Sequence, residues 1–247
     1  MGGRTRPGGH ISLTARGGPA DKRSVRSQSA ACGERRRIGR RLVRERPIMA
    51  TIYLLRHGQT QFNLEGRVQG SEVDSGLTAL GEAQARTCGR ILKQILADQP
   101  KPLFVSSPLG RAVATTKIVL DTLGWPTAPY ATDPLIRELG MGRDAGLTAD
   151  EVRTTFPEDV PLSHRDRGWN EAPPGGETDA ELAHRAAVWF ASVRTDTVAV
   201  SHRTFGRFLR AHVLGLDRDG LMALDEPHDC VFRIAADAVD RLTDVSE

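Results

Sequence analysis

From Ala50 onward, short apolar runs alternate along the chain with longer amphipathic stretches. Near-continuous apolar runs of four or five residues are typical of strands that are buried on both faces of a parallel sheet. Apolar residues at helical spacing between those runs indicate helices that cover the sheet. The alternation therefore predicts an α/β fold with three α/β/α layers and a mainly parallel central sheet.

The same pattern predicts individual elements. Strands are expected at 51–55, 101–105, 197–200 and 230–235. Helices are expected at 78–98, from Pro108 to 124, from a capping box at Thr178 and Glu181 to about 193, and from 205 to a stop at Gly215. The first helix is indicated by Leu80, Gln84, Thr87, Ile91 and Ile95, which repeat at helical spacing. Residues 135–152 should form a loop with a short helix, and the proline-rich segment 157–176 should cross the surface.

Several sequence features bear on the cellular location of the protein. It has no apolar run of about 18 residues, so we expect no membrane span. Its three cysteines, Cys32, Cys88 and Cys230, are far apart, which fits neither a disulfide framework nor a zinc site. A reducing, cytoplasmic location is therefore expected.

Charge divides the chain into two unlike parts. Residues 1–48 contain 13 basic and three acidic residues, a balance of +10, whereas residues 49–247 contain 21 basic and 28 acidic residues, a balance of −7. Residues 1–48 show no apolar periodicity, so we expect a disordered basic extension before a folded domain at 49–247. It could be a basic arm for nucleic acid or an anionic membrane, a transit-type presequence, or a stretch upstream of a true start at Met49; the last is favoured. Nucleic-acid and membrane partners are not expected for the acidic domain.

Polar side chains follow three of the predicted strands at the point where each strand ends. They are Arg56 and His57, then Ser106, Ser107 and Arg111, and finally Ser201 and His202. In open α/β sheets, ligands bind outside the carboxyl ends of the strands, close to helix N-termini. Two imidazoles and two guanidiniums would converge there, which predicts an anion site that contains a nucleophile.

These residues belong to an ordered set of motifs. The set comprises Leu55-Arg56-His57-Gly58-Gln59-Thr60 with Asn63, Gly66 to Gly70, Leu77-Thr78 with Gly81, Gln84 and Ala85, Ser106-Ser107-Pro108 with Arg111, Leu135 with Glu138, Pro174 to Thr178, and Ser201-His202. In this order the chain resembles the histidine phosphatase superfamily, which contains the cofactor-dependent phosphoglycerate mutases. The resemblance runs from residue 51 to about 216 and implies a phosphoglycerate mutase-like fold.

The resemblance implies a phosphohistidine mechanism at the strand ends. His57 would be the nucleophile, with its other ring nitrogen held by a backbone acceptor near Gly58. Arg56 and Arg111 would grip the phosphoryl oxygens, because a planar guanidinium fork fits them better than a lysine. A protonated His202 would donate to the transition state.

Further roles follow from the same resemblance. Asn63 and Thr60 are expected to contact the phosphate. Glu138 would be the general acid and then the base, with Asp133 and Glu177 as acidic alternatives. No metal and no cofactor are expected, because positioned donors supply most of the catalysis of phosphoryl transfer.

The chain departs from the family pattern beside the second histidine. The family usually places glycine there, whereas this chain has Arg203. Arg203 could point to the surface, which is favoured, or reach a second anionic group of the substrate together with Arg207. Arg67 and Arg203 are thus the candidate substrate contacts. Asp74 lies one residue later than the usual spacing from Gly70, which indicates an altered loop.

Three functions remain in competition. The 64 positions from Glu138 to His202 form a short segment for a phosphoglycerate mutase, which must cover its intermediate against water. A phosphatase that hydrolyses a small phosphorylated metabolite is therefore expected ahead of a mutase. A non-catalytic phosphate-binding or regulatory protein is the alternative of another class, and a homodimer is a candidate assembly.

Overall fold

A computed structural model describes residues 50–157 and 168–244. Within these ranges the chain forms a six-stranded sheet in the order β3-β2-β4-β1-β5-β6. The strands are β1 (Ile52–Arg56), β2 (Leu103–Ser106), β3 (Ala131–Thr132), β4 (Thr197–Ser201), β5 (Val231–Ala235) and β6 (Ala238–Leu242). The expected extension at residues 1–48 and Met49 lie outside the described residues, as does the middle of the expected surface segment 157–176.

The sheet is parallel over four strands and antiparallel at one side. β3, β2, β4 and β1 pair in parallel, while β5 pairs antiparallel with β1 and with β6. The predicted mainly parallel sheet is confirmed. The two outer strands β3 and β6 were not expected, since β3 has two residues and β6 has an exposed, charged pattern.

Seven α-helices connect the strands in the described ranges. They are α1 (Gln61–Leu64), α2 (Ala79–Ile95), α3 (Gly110–Thr122), α4 (Ala149–Thr155), α5 (Asp179–Ser192), α6 (Arg203–Leu214) and α7 (Arg218–Ala223). Two short 3₁₀ helices lie at Pro134–Ile136 and Gly142–Asp144. None of these helices combines the length and the apolar character that crossing a bilayer requires.

Local sequence signals explain where several helices begin. Thr178 and Glu181 form the predicted capping box of α5, and Thr78 caps α2 through the amide of Gly81. Pro108 lies before the N-cap of α3 and not within its first turn, so that predicted start is wrong by two residues. The extended backbone of Leu109 delays the helix until Gly110.

The predicted helix is present as α2, but of the repeating residues that indicated it only Ile91 is buried. Leu80 is 55% exposed, while the buried face contains Gly81, Ala85, Cys88 and Gly89 as well as Ile91 and Leu92. Small residues face inward because the helix packs very closely against its neighbours. A Cβ on Gly89 would lie 2.6 Å from the Cβ of Thr122 on α3. Burial on this helix therefore follows residue size more than hydrophobicity.

Alternating side chains of the strands build one core on each face of the sheet. Ile52 and Leu54 of β1 pack with residues of α5 and α6, such as Leu182 and Phe205. The opposite face of β1 packs with residues of α2 and α3 in a second buried cluster. This arrangement is the predicted three-layer α/β/α architecture.

The register of the sheet brings three strand ends to one edge. Arg56 at the end of β1 lies opposite Ser201 at the end of β4, and Ser106 at the end of β2 lies opposite Val200. The ladder continues beyond β1, where the amide of His57 donates to the carbonyl of Ser201 at 3.0 Å. Polar residues that are distant in sequence are therefore neighbours at this edge.

Candidate active site

His57 lies directly after β1 and is almost fully buried, with 3% of its surface exposed. Its Nδ1 lies 2.8 Å from the carbonyl oxygen of Gly58. A carbonyl oxygen only accepts, so Nδ1 carries the proton and the lone pair is left on Nε2. The expected backbone acceptor near Gly58 is thus present, and it fixes the tautomer that an attacking nitrogen needs.

Gly58 allows the chain to turn at this point because it has no side chain. A Cβ on Gly58 would lie 2.1 Å from the carbonyl oxygen of Gly81, well inside contact distance. The amide of Gly58 donates to the hydroxyl of Thr115 on α3 at 3.1 Å. The backbone beside the nucleophile is therefore wedged between the N-terminal part of α2 and the body of α3.

His202 follows β4 and faces His57. The two ring centroids are 5.1 Å apart with an angle of 57° between the ring planes, so both imidazoles lie on the same side of the sheet. The Nε2 of His202 lies 2.7 Å from the hydroxyl of Ser107, at the end of β2. Its Nδ1 is buried and has no hydrogen-bond partner within the described structure.

Arg56 and Arg111 border the same cavity as His57. One terminal nitrogen of Arg56 donates to the carbonyl of Glu226 at 2.7 Å. Arg111 donates to the carbonyls of Gly70 and Val73 and to the carboxylate of Asp74. The Nε of each arginine is buried without a partner among the described residues.

The surroundings of both imidazoles favour the neutral ring. Burial, followed by the charges of Arg111 and Arg56, holds the pKa of His57 well below its usual value. Burial and the charge of Arg111 lower the pKa of His202 in the same way, with further contributions from His57 and Arg56. The protonation of His202 in the transition state stays a prediction, and burial, followed by the charge of Arg111, opposes it.

The carboxylate of Glu138 lies at the N-terminus of α6. Its carboxylate accepts hydrogen bonds from the amides of Leu139 at 2.9 Å, Thr204 at 3.1 Å and Phe205 at 3.3 Å. It therefore supplies the capping acceptor that the His202 side chain does not provide to this helix. Glu138 also borders the cavity, so the sequence-predicted acid lies beside the predicted nucleophile.

The two acidic alternatives have other roles. Asp133 caps the first 3₁₀ helix by accepting from the amide of Leu135 at 2.8 Å. Glu177 forms a buried ion pair with Arg185, with its two oxygens 2.6 and 2.9 Å from the guanidinium. Neither residue borders the cavity.

Arg185 of α5 holds the loop that contains Glu138, and the sequence reasoning missed it. Besides Glu177, its guanidinium donates to the carbonyls of Leu135 and Arg137, each at 2.7 Å, and of Glu138 at 3.0 Å. All five N–H groups of the side chain are used. No motif marks this residue, because the signal is a set of backbone carbonyls that only the fold brings together.

Thr60 and Asn63 have different positions. The Thr60 hydroxyl is fully buried, accepts from the Asn63 amide at 3.2 Å and from the Gln69 side chain at 2.6 Å, and caps α1. The side-chain oxygen of Asn63 accepts a hydrogen bond from the Thr60 amide at 3.1 Å, and Asn63 borders the cavity. The structure therefore places Asn63 at the site and Thr60 behind it.

Both candidate substrate contacts border the cavity. Arg67 is ion-paired with Glu65 at 3.0 Å and with Glu151 at 2.6 Å, so its charge is already balanced. Arg203 borders the cavity as the first residue of α6. Arg203 is exposed, in keeping with the favoured surface position, and the start of α6 lies at the rim of the site. The altered loop places Asp74 against Arg111.

His228 is a site residue that the sequence analysis did not predict. It borders the cavity, its ring centroid is 5.7 Å from that of His57, and its Nδ1 lies 2.5 Å from the His57 carbonyl. Burial and the charge of Arg56 lower its pKa to about 4, so the ring is neutral near pH 7. The only sequence signal was a histidine shortly before a strand, which is common in loops.

The cavity has a volume of about 470 Å³. Such a volume falls within the usual range for sites that bind small molecules. Among the described residues, no group of three or more metal-ligating side chains is present. Buried N–H donors around a neutral imidazole nucleophile can bind a tetrahedral anion and accept a phosphoryl group from it.

Known proteins with the same sequence features are found among phosphoryl-transfer enzymes. The profile of the histidine phosphatase superfamily (branch 1) matches residues 52–239. A 2,3-bisphosphoglycerate-dependent phosphoglycerate mutase of Brucella canis is 32% identical over 173 residues, which are 68% of this chain and 81% of that protein.

Solved structures show the same fold. A mycobacterial glucosyl-3-phosphoglycerate phosphatase is 27% identical, with a TM-score of 0.61 over 78% of this chain and 97% of the other. The alpha-ribazole phosphatase of Shigella flexneri, at 23% identity, has a TM-score of 0.67 over 78% of this chain and 96% of the other. With the ordered motifs, the family profile and the strand-end site in agreement, this chain is a member of the histidine phosphatase superfamily, branch 1.

Proposed function

We propose that this protein is a phosphatase that hydrolyses a small phosphomonoester through a phosphohistidine at His57. The observation that best supports the proposal is the cavity that His57 borders together with Arg56 and Arg111. Two guanidiniums beside a buried imidazole whose Nε2 lone pair is free provide hydrogen-bond donors for an anion at the attacking nitrogen. A phosphoryl group offers the acceptor oxygens that these donors need.

In the first step, the Nε2 lone pair of His57 attacks phosphorus. The new N–P bond forms as the bond from phosphorus to the ester oxygen breaks, and Glu138 gives its proton to the departing oxygen. Arg56 and Arg111 donate to the phosphoryl oxygens as charge develops on them. The backbone carbonyl of Gly58 stabilises the positive charge on the His57 ring through Nδ1.

In the second step, a water molecule attacks the phosphohistidine. Glu138, now a carboxylate, takes a proton from the water as the N–P bond breaks, and inorganic phosphate and neutral His57 are released. The negative charge of the phosphoryl group favours protonation of the His202 imidazole. Without that charge, burial and two guanidiniums disfavour the protonated form.

The experiment is a phosphatase screen over a panel of phosphorylated metabolites in the presence of EDTA. We expect phosphate release by the wild-type protein and a fall of about 10³-fold or more in His57→Ala. The matched control is His184→Ala, because His184 is an exposed histidine of α5. Phosphate release that survives His57→Ala, or that needs an added metal ion, would refute the proposal.

Covalent trapping tests the intermediate separately. We expect a mass increase of one phosphoryl group after rapid quenching under alkaline conditions, where phosphohistidine is stable. The modification should map to His57 and be absent from His57→Ala. A phosphorylated serine such as Ser107 would contradict the assignment of the nucleophile.

A mutase is the second candidate, because the Brucella canis relative at 32% identity has that name. Supplying 2,3-bisphosphoglycerate together with 3-phosphoglycerate separates the two reactions. Hydrolysis produces inorganic phosphate, whereas a mutase produces 2-phosphoglycerate with little free phosphate. We expect free phosphate, because the segment between Glu138 and His202 is short for covering an intermediate against water.

A further inference from the structure

Arg203 is a cation at the N-terminus of a helix, where a positive charge does not stabilise the helix. It is the first residue of α6, and the first turn of that helix contains no acidic residue. A positive charge at a helix N-terminus opposes the helix dipole and typically costs about 0.3–1 kcal/mol. The side chain nevertheless borders the cavity that contains His57. A role in the cavity is the better explanation for this residue.

The charges around the cavity leave Arg203 without a counterion. Of the four arginines that border it, Arg111 is paired with Asp74 at 3.0 Å and Arg67 is paired with Glu65 and Glu151. Arg56 borders the cavity together with His57 and is the natural partner of the phosphoryl group. In the part of the chain that the structure describes, Arg203 has no ion pair and no side-chain hydrogen bond.

Arg207 adds a second positive charge close to Arg203. It lies one turn further along α6, and like charges at this spacing repel each other. Its Nε is buried without a partner, and burial followed by the charge of Arg203 lowers its pKa. The charge of Arg203 also lowers the pKa of Arg56, so the field of Arg203 reaches the phosphoryl site. Both effects favour an anion near the Arg203 guanidinium.

We propose that Arg203 binds a second anionic group of the substrate, a carboxylate or a second phosphate, while the first phosphoryl group lies against His57. The inference rests on the proposed function, because that function defines where the first phosphoryl group lies. The cavity of about 470 Å³ has room for a small molecule beyond the phosphoryl group. The substrate class is thus a phosphomonoester with a further negative charge, and the arginine that replaces the usual glycine selects it.

Ligand pairs that differ only in the second charge provide the test. 3-Phosphoglycerate and glycerol 3-phosphate differ by one carboxylate, and fructose 1,6-bisphosphate and fructose 6-phosphate differ by one phosphate. Binding is measured by titration calorimetry on His57→Ala, which cannot turn over by the proposed route. We expect the ligand with the extra charge to bind about 10–100-fold more tightly in at least one pair, as a hydrogen bond to a charged group predicts. The pair with the larger ratio identifies the second group.

The matched variants add Arg203→Gln or Arg203→Lys to the same background. We expect Arg203→Gln to reduce the affinity ratio to near 1 and Arg203→Lys to retain part of it. The control Arg86→Gln also removes one positive charge, from a surface pair with Glu82 on α2, and should leave the ratio unchanged. A ratio that is near 1 before Arg203 is changed, or that survives Arg203→Gln, overturns the proposal.

Hydrolysis of p-nitrophenyl phosphate by the otherwise unchanged protein separates this inference from the proposed function. If the protein releases no phosphate from this ester or from any metabolite, the phosphatase proposal fails. The affinity ratio still decides whether Arg203 binds a second anion, because calorimetry does not depend on turnover. Hydrolysis combined with a ratio that ignores Arg203 means that the phosphatase proposal stands and the subsite does not.

Discussion

Replacing Arg185 with methionine tests how the structure positions Glu138. Arg185 lies in α5, is nearly fully buried and donates to both oxygens of Glu177 and to the carbonyls of Leu135, Arg137 and Glu138. Methionine has a similar length and is apolar, so it fills much of the space but donates nothing. The substitution leaves a buried carboxylate with only the more distant Arg137, at 3.6 Å, as its cation and three carbonyls without this donor.

The expected loss of stability follows from these contacts. Removing one partner of a buried ion pair typically costs 3–5 kcal/mol, because the remaining charge is left uncompensated. The orphaned carbonyls would add to this cost, but relaxation and water entry reduce it, so we expect about 3–5 kcal/mol in total. With a urea m value of about 2 kcal/mol/M, the unfolding midpoint should fall by about 1.5–2.5 M.

The assay is urea unfolding at pH 7, followed by circular dichroism, with turnover measured on the same preparations. Arg185→Met/Glu177→Met removes both charges and should recover at least about 1 kcal/mol relative to the single variant. Arg86→Met, which breaks only an exposed pair with Glu82, should change stability by less than about 1 kcal/mol. A midpoint shift for Arg185→Met as small as that of Arg86→Met would refute the reasoning.

Three further perturbations test other parts of the site. Gly58→Ala should lower stability by about 1–3 kcal/mol and activity by more than tenfold, because its Cβ would meet the Gly81 carbonyl, whereas Gly76→Ala has open space and should be near neutral in the same unfolding and rate assays. His228→Asn should become more stable relative to wild type as the pH falls from 6 to 4.5, by up to about 1.4 kcal/mol per pH unit. The sign follows because the His228 imidazole binds a proton below about pH 6.5 in the unfolded wild-type protein, whereas burial keeps its pKa at about 4 in the folded protein. Urea midpoints of the two proteins that change equally across this pH range would contradict the prediction. Glu138→Gln should slow hydrolysis of alkyl phosphates by about 10²–10⁴-fold but p-nitrophenyl phosphate far less, since that leaving group needs no proton; equal losses in kcat would exclude the acid role.

The strands that form the centre of the fold could be predicted from the sequence because they are continuous apolar runs. β1 and β4 are buried on both faces, so apolar residues are favoured at successive positions and not only at alternate ones. The strand-end residues His57 and His202 could be predicted for a related reason. Parallel strands place their carboxyl ends at one edge, so polar residues just after such runs must be neighbours.

Other features could not be predicted because their causes are not local. The inward face of α2 depends on how closely Gly89 must approach Thr122, and no periodicity in the helix contains that distance. The protonation of His202 was predicted from its role alone, whereas its lowered pKa results first from burial and then from Arg111, which the sheet brings close to it. Arg185 and His228 act through backbone carbonyls, which every residue possesses, so their partners have no sequence signature.

The groups at the site are ones that a phosphoryl group would complement. Among the described residues, the Nε atoms of Arg56 and Arg111 and the Nδ1 of His202 are buried without hydrogen-bond partners, although such groups normally reduce stability. Burial, followed by the charges of Arg111 and Arg56, favours the neutral ring of His57, and a nucleophilic nitrogen must be neutral to attack. A bound phosphoryl group would offer acceptors to the donors and would offset the positive charges of the guanidiniums. Arg203 extends this arrangement to the rim, where an uncompensated cation would favour an ester with a second negative group.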